Sequence, residues 1–178
     1  MKQRIGILFA SIALVAGCAL FTQPGSASPT FVLASTTFAD GATIPTANAF
    51  NGDHCGGKNI SPELHWTAPP AGTASFALTI YDPDAHGGWW HWVVSDINAQ
   101  TRALPAGVSY PGVQARTSFG TAQYGGPCPP VGDSPHHYEF TLYALNARLG
   151  SVADGPSLLR AIPGHVLATA HLLGRYSR

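Results

Sequence analysis

Three short segments hold most of the side chains able to do chemistry. Asp82-Pro83-Asp84-Ala85 places two carboxylates two residues apart. In extended chain that spacing turns both to one side, and the proline between them ends a strand's hydrogen-bond ladder. Trp89-Trp90-His91-Trp92-Val93-Val94 sets an imidazole among aromatic and β-branched residues. Gly125-Gly126-Pro127-Cys128-Pro129-Pro130 is followed by Gly132, then by His136 and Tyr138 at the start of a strand-like run. Imidazoles titrate near neutral pH, so two histidines supply positive charge to an anion yet stay neutral in an empty site. A carboxylate beside such a ring fixes it and favours its charged form. It also repels a bound anion, so Asp82 is better suited to orienting a histidine or bonding an ammonium group. A Gly-rich loop lets backbone N–H groups approach a ligand closely. Each segment also has a plainer reading: turn chemistry for Asp-Pro-Asp, a satisfied core residue for the histidine, an ordinary loop for the Gly/Pro cluster.

The elements that must position these groups read as short strands. Phe31 to Phe38 is a first strand, ended by Asp40-Gly41. Ser75 to Tyr81 alternates, with Phe76, Leu78 and Ile80 on one face. Trp90 to Ile97 follows, with His91, Val93 and Ser95 pointing one way and Trp92 and Val94 the other. Tyr138 to Leu145 is apolar on both faces, as a strand buried in a core is. Helix is expected only near the end. Ser157 to Ala161 is opened by Pro156, and Gly164 to Arg175 carries Val166, Ala170 and Leu173 at roughly helical spacing, with Arg175 and Arg178 toward the negative end of its dipole. Many strands and few helices make an antiparallel β-sandwich the expected architecture.

Lys2 and Arg4 precede an uncharged apolar run from Ile5 to Leu20, the pattern of an export signal. The run is at the short end for an uncleaved membrane anchor. Cleavage is expected near Gly25-Ser26-Ala27-Ser28, which leaves residues 29–178 as a single domain. Val15-Ala16-Gly17-Cys18 also resembles a bacterial lipobox, in which Cys18 would be the lipidated first residue; the other reading is a small cysteine within an apolar leader. Lys plus Arg and Asp plus Glu number 9 each and only 10% of residues are charged, too few for the basic stripe that a nucleic acid requires. Of the 3 cysteines, Cys55 and Cys128 lie outside the leader. In an oxidising compartment they favour a disulfide over metal ligation, since neither belongs to a Cys-x-x-Cys pair. Two buried free thiols are the alternative.

The order of motifs resembles that of the phosphatidylethanolamine-binding protein (PEBP) family, in its bacterial YbhB/YbcL, Raf-kinase-inhibitor-like branch. Asn59-Ile60-Ser61-Pro62-Glu63-Leu64 with Trp66 comes first, then Asp82 to Ala85, then Trp89 to Val94, then Gly125 to Pro130 with His136 and Tyr138. Leu104-Pro105-Ala106-Gly107 and His165-Val166-Leu167-Ala168 also fit, so the likeness runs from about Phe31 to Tyr176. The resemblance implies two antiparallel sheets with Greek-key links and small flanking helices, and a shallow pocket for phosphate-like anions or phospholipid head groups. It implies Asp82, Asp84, His91, His136 and Tyr138 in that pocket, Gly126 as a backbone donor beside Pro127, and Trp89 and Trp90 on the rim. The chain departs from its relatives in two places. His86-Gly87-Gly88 replaces a longer, proline-bearing loop, and His137 stands where relatives commonly carry arginine, which removes a permanent cation.

The expected role is therefore an exported binding protein with no cofactor, in contact with a membrane only through a lipid anchor. A regulator that inhibits a protease or kinase-type partner through the His86 to Trp89 loop is the alternative. A hydrolytic or metal centre built from Asp82, Asp84, His91 and His136 is a third reading. It lacks a nucleophile elbow, a His-Glu-x-x-His helix and a serine or cysteine placed for attack, so the chain is not expected to be an enzyme.

Overall fold

The computed structural model describes residues 30–178. The leader, its cleavage points and Cys18 lie outside the described residues. Eight strands and one α-helix follow in the order β1 (Leu33–Ala34), β2 (Leu64–Trp66), β3 (Ser75–Asp82), β4 (Trp89–Asn98), β5 (Ala103–Leu104), β6 (Val113–Gln114), β7 (His136–Leu145), α1 (Gly155–Ala161) and β8 (Val166–Tyr176). They form a three-stranded sheet, β1-β2-β5, and a five-stranded sheet, β6-β4-β3-β7-β8. All strand pairs within the two sheets are antiparallel.

The principal core fills the space between the sheets. Phe76, Leu78 and Ile80 of β3 meet Trp92 and Val94 of β4 and Phe140 and Leu142 of β7, with Leu64, Trp66 and Leu104 from the smaller sheet above them. A second cluster lies on the outer face of the large sheet, where Ala77, Val93 and Leu145 pack under Leu158 and Ile162 of the α1 region. The two clusters explain why β3, β4 and β7 are apolar on both faces.

Two expected elements are corrected. The run from Phe31 to Phe38 forms strand only at Leu33–Ala34, because Glu63 captures the chain beyond it. Its carboxylate accepts hydrogen bonds from the Thr36 backbone N–H and hydroxyl, and Ser35 Oγ donates to the Glu63 carbonyl. Gly164 to Arg175 is not helical. From Val166 onward its residues belong to β8, which pairs with β7 along its length. Ala170, Leu172, Gly174 and Tyr176 are buried and alternate with less buried residues, so a period of two prevails over the helical spacing of Val166, Ala170 and Leu173. Helix α1 begins slightly earlier than expected. Asp154 caps it by accepting from Ser157 N at 2.9 Å, with Pro156 in the first turn.

Candidate ligand-binding site

At one end of the inter-sheet core the apolar rows of β3, β4 and β7 give way to Asp82, His91 and His136 with Tyr138. All four are buried, and together they line a cavity of about 710 Å³. Asp82 ends the core-facing row Phe76, Leu78, Ile80 of β3, and Tyr138 continues the core-facing row of β7. The position of His91 depends on a bulge. Ile80 is opposite Trp92 and Tyr81 is opposite Trp90, so His91 has no partner of its own across the β3–β4 ladder. An extra residue of this kind re-aims its side chain. The His91 ring meets the edges of Tyr138 and Phe119 at centroid distances of 5.1 and 5.5 Å.

The polar contacts divide the two histidines into different roles. His91 Nδ1 lies 2.7 Å from the Gly125 carbonyl and donates to it, which leaves Nε2 as an acceptor in the neutral ring. Burial pushes the His91 imidazole down to about 4, against the opposing pull of the Gly125 carbonyl and Asp82. His136 Nδ1 donates to Asp82 Oδ2 at 2.8 Å, and its Nε2 is 3.5 Å from Asp133 Oδ2. Burial opposes its charge, but the Asp82 hydrogen bond and charge, helped by Asp133, hold the His136 imidazole above its ordinary range. Asp82 is itself held by its turn, with Oδ1 accepting from the N–H groups of Asp84 and Ala85 at 2.9 and 3.1 Å. The Tyr138 hydroxyl is buried, lies beside Asp82 and makes no geometrically good hydrogen bond among the described residues. Burial, foremost, and the Asp82 charge push its phenol up.

At the mouth, the His137 backbone N–H and ring Nδ1 reach Asp84 Oδ2 at 2.7 and 2.8 Å, and the backbone donor above all keeps the Asp84 carboxyl below its usual range. Trp89 is 36% exposed and stands edge-on to Phe119, forming an apolar lip. Cys128 also lines the cavity and is joined to Cys55 in a disulfide with Cα atoms 5.5 Å apart, which ties the 50–57 segment to the Gly/Pro loop. The floor thus offers an acceptor, a hydroxyl and an imidazole held toward its charged form beside a carboxylate, under an apolar lip. Among the described residues no three His, Cys, Asp or Glu side chains converge where one cation could sit.

Comparison with known proteins bears on what such a pocket is for. A profile of the phosphatidylethanolamine-binding protein family matches residues 34–177. The chain belongs to that family. It is 40% identical to YbcL of Escherichia coli K12 over 82% of this chain and 87% of that protein, and 43% identical to YbhB of the same organism over 82% and 99%. It is 38% identical to LppC of Mycobacterium tuberculosis, described as a candidate lipoprotein, over 87% of this chain and 76% of that one. The solved structure of Escherichia coli YbcL, described as a new member of the mammalian PEBP family, superposes with a TM-score of 0.78 at 38% identity, over 83% of this chain and 98% of that chain.

Within this PEBP fold, Asp82, Asp84, Trp89, His91, His136 and Tyr138 are brought together on the cavity wall. Three expected residues are not. Trp90 pairs with Tyr81 across the ladder, and its ring lies on the Tyr81 ring at 4.5 Å on the opposite face of the sheet, against Gly155. Gly126 does not offer its N–H to a ligand, because the Asn59 side chain already accepts it at 2.7 Å. Its glycine is required by close approach to the Asn48 carbonyl, which a Cβ would strike. Pro127 lies off the wall, with its carbonyl accepting from Phe50 N at 3.0 Å. Both residues therefore shape the loop that presents the Gly125 carbonyl to His91. The cavity also takes in Phe119, Asp133 and Arg178, which sequence reasoning did not assign to it. Asp133 stands three residues before His136, close enough in sequence to have been suspected. Phe119 and Arg178 carry no local signal.

Proposed function

We propose that this is an exported binding protein whose pocket holds a small phosphate-like anion or the head group of a phospholipid. The observation that carries the reading is the buried Asp82–His136 pair set beside a neutral His91 and the buried Tyr138 hydroxyl. A charged His136 attracts an anion, while His91 Nε2 and the Asp82 carboxylate suit an N–H or O–H donor. A zwitterionic head group carries both kinds of group, and the Trp89–Phe119 lip favours a ligand with an apolar neighbour. Export is supported by the apolar leader, by the disulfide and by the likeness to LppC.

The pocket binds rather than turns over its ligand. No serine or threonine lines the cavity, and the sulfur of Cys128 on its wall is tied up in a disulfide, so among the described residues no hydroxyl or thiol of the usual nucleophile kind is set against a histidine Nε2.

Calorimetric titration with glycerophosphoethanolamine and, separately, with inorganic phosphate at pH 6 and pH 9 tests this. Binding is expected to be tighter at pH 6, where His136 is charged, and the tighter of the two probes identifies the source of the ligand. A hydrogen bond to a charged group contributes about 1.5–3 kcal/mol, so His136→Ala should weaken binding by roughly ten- to a hundredfold at pH 6. Unchanged affinity in that variant would make His136 a structural residue and end the proposal.

A further inference from the structure

We propose that Arg178 is the fixed cation of this pocket, contacting the anionic end of the ligand while it fastens the two loops of the wall. The inference rests on the pocket reading above and names the group that gives it affinity independent of imidazole charge. Arg178 follows β8 closely, and β8 pairs Tyr176 with His136, so the register delivers the guanidinium to the same end of the sheet as the histidine. Arg178 lines the same cavity as Asp82, His91 and His136.

Its Nε donates to the Pro129 carbonyl, and Nη1 lies 3.3 and 3.2 Å from the carbonyls of Asp53 and His54. Those carbonyls belong to the two segments that the Cys55–Cys128 disulfide joins. Carbonyls accept hydrogen bonds but carry no net charge, so the bonds orient the guanidinium without neutralising it. Nη2 makes no hydrogen bond among the described residues, and Arg178 is in no ion pair among them.

The acids around it are largely engaged elsewhere. Asp82 and Asp133 face His136, and Asp84 is held by His137. Asp53 is the remaining carboxylate on the wall, and His86 adds a further imidazole. His91 is uncharged at neutral pH. A planar, oriented guanidinium that keeps its charge throughout the accessible pH range is the side chain best matched to a phosphate group.

The test uses glycerophosphoethanolamine and inorganic phosphate with wild-type protein, Arg178→Gln and Arg178→Lys, by calorimetry at pH 6 and pH 9, with thermal melting of each variant. Wild type should retain measurable binding at pH 9. Arg178→Gln should weaken it roughly tenfold at both pH values, the loss of one charge-assisted hydrogen bond. Arg178→Lys keeps the charge but not the planar fork, and should bind more tightly than Arg178→Gln though less tightly than wild type, even if both variants melt earlier through loss of the carbonyl bonds. Equal weakening in the two variants would reduce Arg178 to a fastener and overturn the ligand contact, as would unchanged binding in Arg178→Gln. Binding at pH 6 that vanishes at pH 9 in wild type would overturn Arg178 while leaving the His136 pocket standing. No binding by wild type at either pH would remove the pocket reading and this inference together.

Discussion

Acidification should destabilise this protein through His91 in a way that a single substitution can remove. The ring is 3% exposed and held neutral, its imidazole pushed down to about 4 by burial. In the unfolded chain the same ring titrates near 6.5. Between those values the unfolded state binds a proton that the folded state refuses, so stability rises with pH there and is lost as pH falls. Each pH unit in that window carries about 1.4 kcal/mol, so His91 alone removes about 3 kcal/mol between pH 7 and pH 4. That is a large part of the stability of a domain of this size. The perturbation is His91→Asn, whose amide can take over the donor position that Nδ1 offers to the Gly125 carbonyl but does not titrate. Urea unfolding of both proteins at intervals from pH 7 to pH 4 gives the comparison. The variant loses packing against Tyr138 and Phe119 and should be less stable at pH 7. Its stability should nevertheless fall less steeply, so that the two curves converge by about 3 kcal/mol toward pH 4. The other titrating groups are common to both proteins and largely cancel. Parallel curves would mean that His91 takes up its proton in the folded state, and the neutral-acceptor role assigned to it would be wrong.

The Asp82–His136 pair should act with the opposite sign. The His136 imidazole is raised in the folded state, so its contribution is fully present below about pH 6.5 and is lost as pH rises through the raised value. Asp82→Asn, which keeps an acceptor for the Asp84 and Ala85 N–H groups, should cost about 1.5–3 kcal/mol at pH 6 and clearly less at pH 9. Denaturation at the two pH values checks this, and an equal cost at both would exclude a charged pair. Replacing Cys55 and Cys128 together by serine should cost about 4 kcal/mol, the chain-entropy value for a sequence separation of 73. The double variant should also bind glycerophosphoethanolamine more weakly, because Cys128, Pro129 and Pro130 form one wall of the cavity. Unfolding and calorimetry under oxidising conditions read both effects.

What local sequence determines here follows from patterns that short stretches of chain carry by themselves. The period of two in Ser75 to Tyr81 and Tyr138 to Leu145 fixes which residues share a face, because strand side chains must alternate. Asp82-Pro83-Asp84 ends a strand because proline cannot extend the ladder, and Asp82 then caps its own turn. Even so, the spacing in Gly164 to Arg175 reads as helix, and a full-length partner in β7 makes the segment a strand instead.

Tertiary structure alone decided where the ligand groups point. A bulge, which depends on register against β3, turned His91 toward Tyr138 and sent Trp90 to the opposite face. Gly126 could not be told from a ligand donor until Asn59, 67 residues away in sequence, was found to occupy its N–H. The ionisation of the histidines is likewise a property of the fold. Two identical side chains diverge because burial prevails at His91 against the pull of the Gly125 carbonyl, while at His136 the Asp82 carboxylate outweighs burial. Arg178 is the extreme case, since only the pairing of β7 with β8 carries it to the pocket. Local chemistry supplies the groups of a site, but long-range register and burial set their direction and charge.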